Sequence, residues 1–240
     1  IEAGTATFRT VEDACNAAIS AIQMGLNVGR IELLDSAQIS ACYRYSHLDL
    51  EEVPTLFFKF SGLEDAVNAE MDVFHSILGD AGTISASSAS AADERNQLWR
   101  ARHDAWWASL AAFPGKTGLV TDACVPISKL ADSITAAQSD LSELGLDGMI
   151  LGHVGDGNFH VVLMVDQDDA DEKSRINQFL DRNSSRAVEF GGTCSGEHGI
   201  GQGKRDAFSD QAGAALGVMA KIKDALDPNG ILNPGKVLAD

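Results

Sequence analysis

Residues 146–153 (LDGMILGH) and 158–165 (NFHVVLMV) are two short, strongly apolar runs that meet at the segment Gly155-Asp156-Gly157-Asn158. Glycines take positive φ without steric cost, and Asp and Asn bond to their own backbone, so this segment is strong turn chemistry. The chain doubles back there, and the two runs are expected as neighbouring strands of a hairpin. This one feature points to an antiparallel sheet.

The rest of the chain supplies helices and further strands. Val11, Ala14, Ala18, Ile19 and Ile22 recur at helical spacing and predict a helix over residues 11–24 stopped by Gly25. VGRIELL and TLFFKFSG read as strands, and residues 36–43 form a short helix between them. Leu63, Val67, Met71, Phe74 and Leu78 mark another helix, closed by Gly79. GTISAS is a short strand, residues 91–112 one long helix with Trp99, Trp106 and Trp107, and GLVTDACVP a strand. A helix capped by Ser128 then runs to Gly145, and a last long helix follows the hairpin over residues 169–190. Strand, helix, strand, strand, helix from residue 118 onward, with a similar spacing earlier, predicts an α+β fold. We expect a mostly antiparallel sheet with helices on one face, built from ferredoxin-like units. No G-x-G-x-x-G follows a strand and no G-x-x-x-x-G-K-[ST] occurs, so a nucleotide or redox cofactor is expected to sit mainly elsewhere.

Charge and cysteine usage narrow the partners. A net charge of −17 repels phosphate backbones and anionic lipid, which argues against nucleic acid and membrane surfaces. No apolar run approaches the roughly 20 residues that span a bilayer, and the first ten residues lack a signal-peptide pattern. Four scattered cysteines without a C-x-x-C pair suit a reducing, cytoplasmic setting and make cysteine-ligated zinc a poor expectation.

The hairpin carries His153 and His160, one on each strand. Facing imidazoles hold divalent metals, but two half-buried strand histidines are also ordinary, and the turn alone leaves both readings open. A second segment, GGTCSGEHGIGQGK at 191–204, has six glycines in fourteen residues. Such a stretch is neither regular helix nor strand, and what stands between its glycines is Glu197 and His198. Together His153, His160 and Glu197 make a two-histidine, one-carboxylate set suited to zinc, manganese or iron with positions left open. His198 is then free to act as a general base near neutrality. Asp156 and Asn158 read as turn residues or as partners behind the ligands.

GHVGDGNFH, SGEHGIGQGK and LDPNGILNPGK resemble the C-terminal half of FAD-linked oxidases of the vanillyl-alcohol oxidase type, within the D-lactate, glycolate and D-2-hydroxyglutarate dehydrogenase group. RIELLD (30–35), LFFKFSG (56–62), LWRAR (98–102) and TDACVPISKL (121–130) share the resemblance, which spans nearly the whole chain. It implies a cap domain over residues 1–240 that covers a flavin bound by a separate FAD-binding domain or subunit. The first residues are expected to match the cap's opening helix. It also implies that His153, His160 and Glu197 hold zinc or manganese, that His198 takes the substrate hydroxyl proton, and that Arg102 grips the substrate carboxylate. Tail residues 225–240 are expected to approach the flavin, with Asn233 as an FAD contact.

Members acting on D-2-hydroxyglutarate carry a lysine two residues before the Asp of the strand matched by VTDACVP, and this chain has Val120 there. The resemblance therefore implies a short 2-hydroxy acid such as D-lactate, with Trp106 and Trp107 favouring a small side chain. Electrons would pass to a cytochrome, quinone or other flavoprotein. The chain alone is expected to be inactive and, with its flavin-facing surface uncovered, to self-associate. A metallohydrolase built on the same ligands and a non-catalytic assembly module are the competing functions; there is no H-E-x-x-H to favour the first.

Overall fold

The computed structural model describes residues 1–46 and 51–238, without the side chain of residue 101. In chain order the elements are β1 (Glu2–Thr7), α1 (Val11–Gln23), β2 (Val28–Leu34), α2 (Ser36–Ser46), β3 (Thr55–Phe60), α3 (Glu64–Asp80) and β4 (Ser85–Ala89). Next come α4 (Ala92–His103), α5 (Ala105–Ala112), β5 (Thr117–Val120), β6 (Ala123–Cys124), α6 (Leu130–Leu144), β7 (Gly148–His153), β8 (Asn158–Val165), α7 (Ala170–Glu189), α8 (Arg205–Ala212) and α9 (Ala215–Leu226).

The strands form one sheet in the order β4-β1-β3-β2-β7-β8-β5, with β6 also paired to β8, and every pairing is antiparallel. The segment β4-β1-β3-β2 has the strand order of a complete ferredoxin-like unit. The second unit, β7-β8 with β5 and β6, stops one strand short. Where its fourth strand would lie, only an isolated bridge forms between Cys124 and Thr193. From there the chain runs into the glycine-dense loop instead. The units join where β2 pairs with β7, Leu33 opposite Gly152 and Leu34 opposite Leu151.

Alternation along the strands divides the side chains between two cores. Phe58, Leu33, Ile150, Phe159 and Val161 point to a large core with residues of α1, α3, α6 and α7. Phe57, Leu34, Leu151, Val162 and Met164 point the other way, against Ile39, Trp99 and Ala108 from α2, α4 and α5. Helices therefore cover both faces, whereas the sequence pattern suggested one. The reason is that β2, β3, β7 and β8 are apolar on both sides, and a sheet of that kind has to be covered twice.

Other differences have local causes. The chain opens with a strand before α1: EAGTAT lacks bulky β-formers, yet its small residues are what the site requires. A Cβ on Gly4 would lie 2.1 Å from the Ser87 carbonyl oxygen and 2.6 Å from the Phe58 ring. The 91–112 helix breaks at Asp104, which lets α5 dock on α2; there Gln38 Nε2 donates to Ala105 O (3.0 Å) and Ser109 Oγ donates to Gln38 Oε1 (3.1 Å). Ser128 lies within a 3-10 turn that follows Pro126, and α6 starts without a side-chain cap. The expected strand at 118–126 is interrupted at Thr121-Asp122, between β5 and β6. Among the described residues no helix is long and apolar enough to cross a membrane, and none of the four cysteines forms a disulfide.

Glycine is needed at the hairpin turn for two separate reasons. Gly157 sits at φ 75°, and a Cβ there would approach the Val125 carbonyl oxygen to 2.1 Å. Gly25 has a similar φ of 77° with open space around it. Gly25→Ala is expected to cost about 1 kcal/mol from backbone strain alone, and Gly157→Ala at least about 2 kcal/mol more because the hairpin must also shift. Chemical denaturation of the two variants checks the difference.

Candidate metal and substrate site

His153 ends β7 and His160 lies inside β8, and their alternation places both imidazoles on the face shared with Leu151 and Val162. The rings stand 5.7 Å apart and nearly perpendicular, at 85°. Each inner nitrogen meets an acceptor. His153 Nδ1 lies 3.3 Å from Glu32 Oε1, and His160 Nδ1 lies 3.0 Å from the Thr121 carbonyl oxygen. An acceptor opposite Nδ1 requires the proton there, which leaves each neutral ring with an Nε2 lone pair facing outward. Both lone pairs converge on Glu197 Oε1, at 3.6 Å from His153 and 3.0 Å from His160. These three atoms, which could hold a metal ion, lie within 4.8 Å of one another.

His198 stacks on His160, centroids 4.8 Å apart and planes within 8°, with its Nε2 3.6 Å from Glu197 Oε1. Thus the four residues expected from the glycine-dense segments do come together. Glu197 and His198 keep 48% and 45% of their side chains exposed, so the cluster is open on that side. Arg102, on α4, reaches the same place, and the pocket of about 250 Å³ also takes in Trp106, Val120, Leu151 and Val162. A Cβ on Gly118 would lie 2.5 Å from the Trp106 ring, so glycine there seats the indole. Trp107 instead points to solvent, 58% exposed, and does not line the pocket. Asn233 is exposed in the tail at φ 48° and is not among the lining residues. The tail returns to the glycine-dense loop nearby, where Val237 N donates to Gly201 O at 2.8 Å.

Two acids that the motif reading passed over hold this arrangement from behind. Asp122 is 1% exposed, in the gap between β5 and β6. Its Oδ2 accepts from Ser195 Oγ (2.8 Å), Glu197 N (2.9 Å) and His198 N (2.8 Å), and Lys204 Nζ stands 3.5 Å away. Burial alone would raise its pKa, but these donors and the Lys204 charge outweigh it and hold the carboxyl well below the usual range. Glu32, on β2 and 2% exposed, lies between His153, Arg102 and Arg30. Its pKa is also lowered: burial pushes it up, and the His153 hydrogen bond and the two arginines more than compensate. The Glu32 contact raises the pKa of His153, while burial lowers that of His160. Both acids had a visible sign, a charged residue inside an apolar strand pattern, and once buried such a charge needs a partner. Asn158, expected as a turn residue or supporting partner, is buried and packs its amide where a Cβ on Gly196 would be, 2.8 Å from its Cγ.

With this geometry in view, the chain matches the family described as FAD linked oxidases, C-terminal domain, over residues 1–237. The chain belongs to that family. Among the relatives of this FAD linked oxidase domain, a probable mitochondrial D-lactate dehydrogenase of Danio rerio is 41% identical over 97% of the chain. A mitochondrial D-lactate dehydrogenase [cytochrome] of Arabidopsis thaliana is 37% identical over 96%. The chain spans 47% and 41% of their lengths, less than half of each. A 4-ethylphenol oxidase from Gulosibacter chungangensis has the same fold, with TM-score 0.69 at 15% identity over 98% of this chain and 53% of that one.

Asp122 gives the domain a test of its loop. Because the folded carboxyl is held below its unfolded value of about 3.9, its contribution is complete above that pH and is lost as pH falls through the folded value. Asp122→Asn is expected to destabilise the chain by about 2–4 kcal/mol at pH 7, with the gap to the parent narrowing below about pH 4. The Glu197 and His198 amides should exchange faster with deuterium. Unchanged exchange at those two amides would mean that Asp122 does not anchor the loop.

Proposed function

We propose that this chain is the substrate- and metal-binding part of an FAD-dependent dehydrogenase that oxidises D-lactate or a similar short 2-hydroxy acid to the 2-oxo acid. The observation that carries the reading is the convergence of two imidazole lone pairs on one carboxylate oxygen. Three electron-rich atoms within 4.8 Å of one another repel unless something positive lies between them. The donor set and its open side fit zinc or manganese, held by His153, His160 and Glu197. The names of the two D-lactate dehydrogenase relatives support the substrate class.

A divalent ion held by His153, His160 and Glu197 would supply Lewis acidity toward the substrate hydroxyl, and FAD held mainly by the FAD-binding domain would supply the hydride acceptor. The chain's residues orient the acid and take the proton. Arg102 spends its Nε on Glu32, so its terminal fork serves the substrate carboxylate. His198 receives the hydroxyl proton at its ring. Val120 and Trp106 form an apolar wall that suits the methyl of lactate and offers no partner to a second carboxylate. The FAD-binding domain or subunit closes the exposed side at Glu197 and His198. Asn233 would meet the flavin there, since the tail already lies against the Gly201 loop. A cytochrome, quinone or flavoprotein would serve as the electron acceptor of the full protein.

Two experiments test the reading. The purified chain should carry about one equivalent of zinc or manganese by mass spectrometry of the metal, and His153→Ala should lose it; retention in the variant refutes the ligand set. Hydrolytic activity of the chain alone would favour a metallohydrolase. In the flavin-containing protein assayed with a dye acceptor, Val120→Lys should shift kcat/KM from D-lactate toward D-2-hydroxyglutarate by at least tenfold, about 1.4 kcal/mol. An unaltered ratio would remove Val120 from substrate selection.

A further inference from the structure

Glu32 is a costly residue to bury. A carboxylate at 2% exposure forfeits several kcal/mol of hydration, and Leu34, two residues along on the same face, shows that an apolar side chain suits this side of the strand. Its partners come from three parts of the chain. His153 belongs to β7, Arg102 to α4 and Arg30 to β2 itself, where its guanidinium also lies 4.9 Å over the Trp99 ring. The division of contacts is specific: Oε1 faces His153 Nδ1 at 3.3 Å and Arg30 Nε at 3.4 Å, and Oε2 pairs with Arg102 Nε. In both pocket residues the inner nitrogen is turned to Glu32, and the outer nitrogens are left for the pocket.

We propose that Glu32 is a positioning residue that sets the outward-facing tautomer of His153 and the reach of Arg102 with a single carboxylate. The inference rests on the reading of His153 as a ligand and of Arg102 as the substrate grip. It follows from the seam between the units: one residue beyond the Leu33–Gly152 pair, the same antiparallel register brings Glu32 beside His153. A carboxylate behind a ligating imidazole fixes the ring and raises its basicity, and losing one typically costs ten- to a hundredfold in metal affinity.

The test compares the parent chain with Glu32→Gln, which keeps the shape and removes the charge, and Glu32→Leu, which removes both oxygens. Calorimetric titration with Mn²⁺ or Zn²⁺ should show Kd raised about tenfold or more in each variant. Histidine ¹⁵N spectra of the metal-free chain should show the His153 Nδ1–H signal shifted upfield in Glu32→Gln and lost in Glu32→Leu. A merely structural residue would leave that signal and the affinity in place, and that result in a folded variant overturns the proposal. Should Glu32→Leu not fold, the shift and Kd of Glu32→Gln decide. If the parent chain binds no metal, the ligand reading fails on its own, and the ¹⁵N signal still decides whether Glu32 orients His153. In the flavin-containing protein Glu32→Gln should raise KM for D-lactate at least fivefold; an unchanged KM overturns the Arg102 half.

Discussion

The pairing of β2 with β7 joins two ferredoxin-like units into one continuous sheet, and the site is assembled across that seam. The direct register is short, only Leu33 with Gly152 and Leu34 with Leu151. A Cβ on Gly152 would meet the Asn158 carbonyl oxygen at 2.6 Å and the Phe159 Cα at 2.7 Å, so the strand is kept bare where β7 and β8 run closest. Because side chains alternate across a strand, this register decides that Glu32 and His153 share a face. A slip of one residue would turn Glu32 into the large apolar core and would leave His153 without its acceptor.

The second unit contributes by being incomplete. Its fourth strand is reduced to the Cys124–Thr193 bridge, and the glycine-dense loop that replaces it carries Glu197 and His198 over the β8 face. A loop with so little side-chain packing of its own needs an anchor, and Asp122 provides it by accepting from two consecutive backbone amides and from Ser195. The interruption between β5 and β6 has the same origin. Thr121 keeps the ladder, its N donating to Val161 O at 3.0 Å and its hydroxyl accepting from Val161 N at 2.8 Å, and the next residue is released to hold the loop.

Legibility in the sequence followed the range of the interaction. Elements with a period of their own were readable: the apolar spacing of α1, the glycine stop after α6 and the hairpin at Gly157 all depend on residues a few positions apart. β1 was missed because its role is to fit between neighbours, which favours small residues such as Gly4 over typical strand formers. The order of hairpin- and helix-joined strands suggests helices on one face but does not say how many faces are apolar; Phe57 and Phe58 are both buried, each against a different set of helices. The break at Asp104 depends on Gln38, 67 residues away by its bond to Ala105.

The sequence by itself determined the hairpin, the candidate residues His153 and His160 on it and the loop that presents Glu197 and His198, because turn chemistry, strand period and glycine density are local properties of the chain. Only the tertiary structure decided which nitrogen of each histidine faces outward, that Trp106 lines the pocket while Trp107 does not, and that Glu32 and Asp122 stand behind the site. Those outcomes depend on which distant strands and helices come into register, and no local pattern encodes the partner of a charge buried in the middle of a sheet.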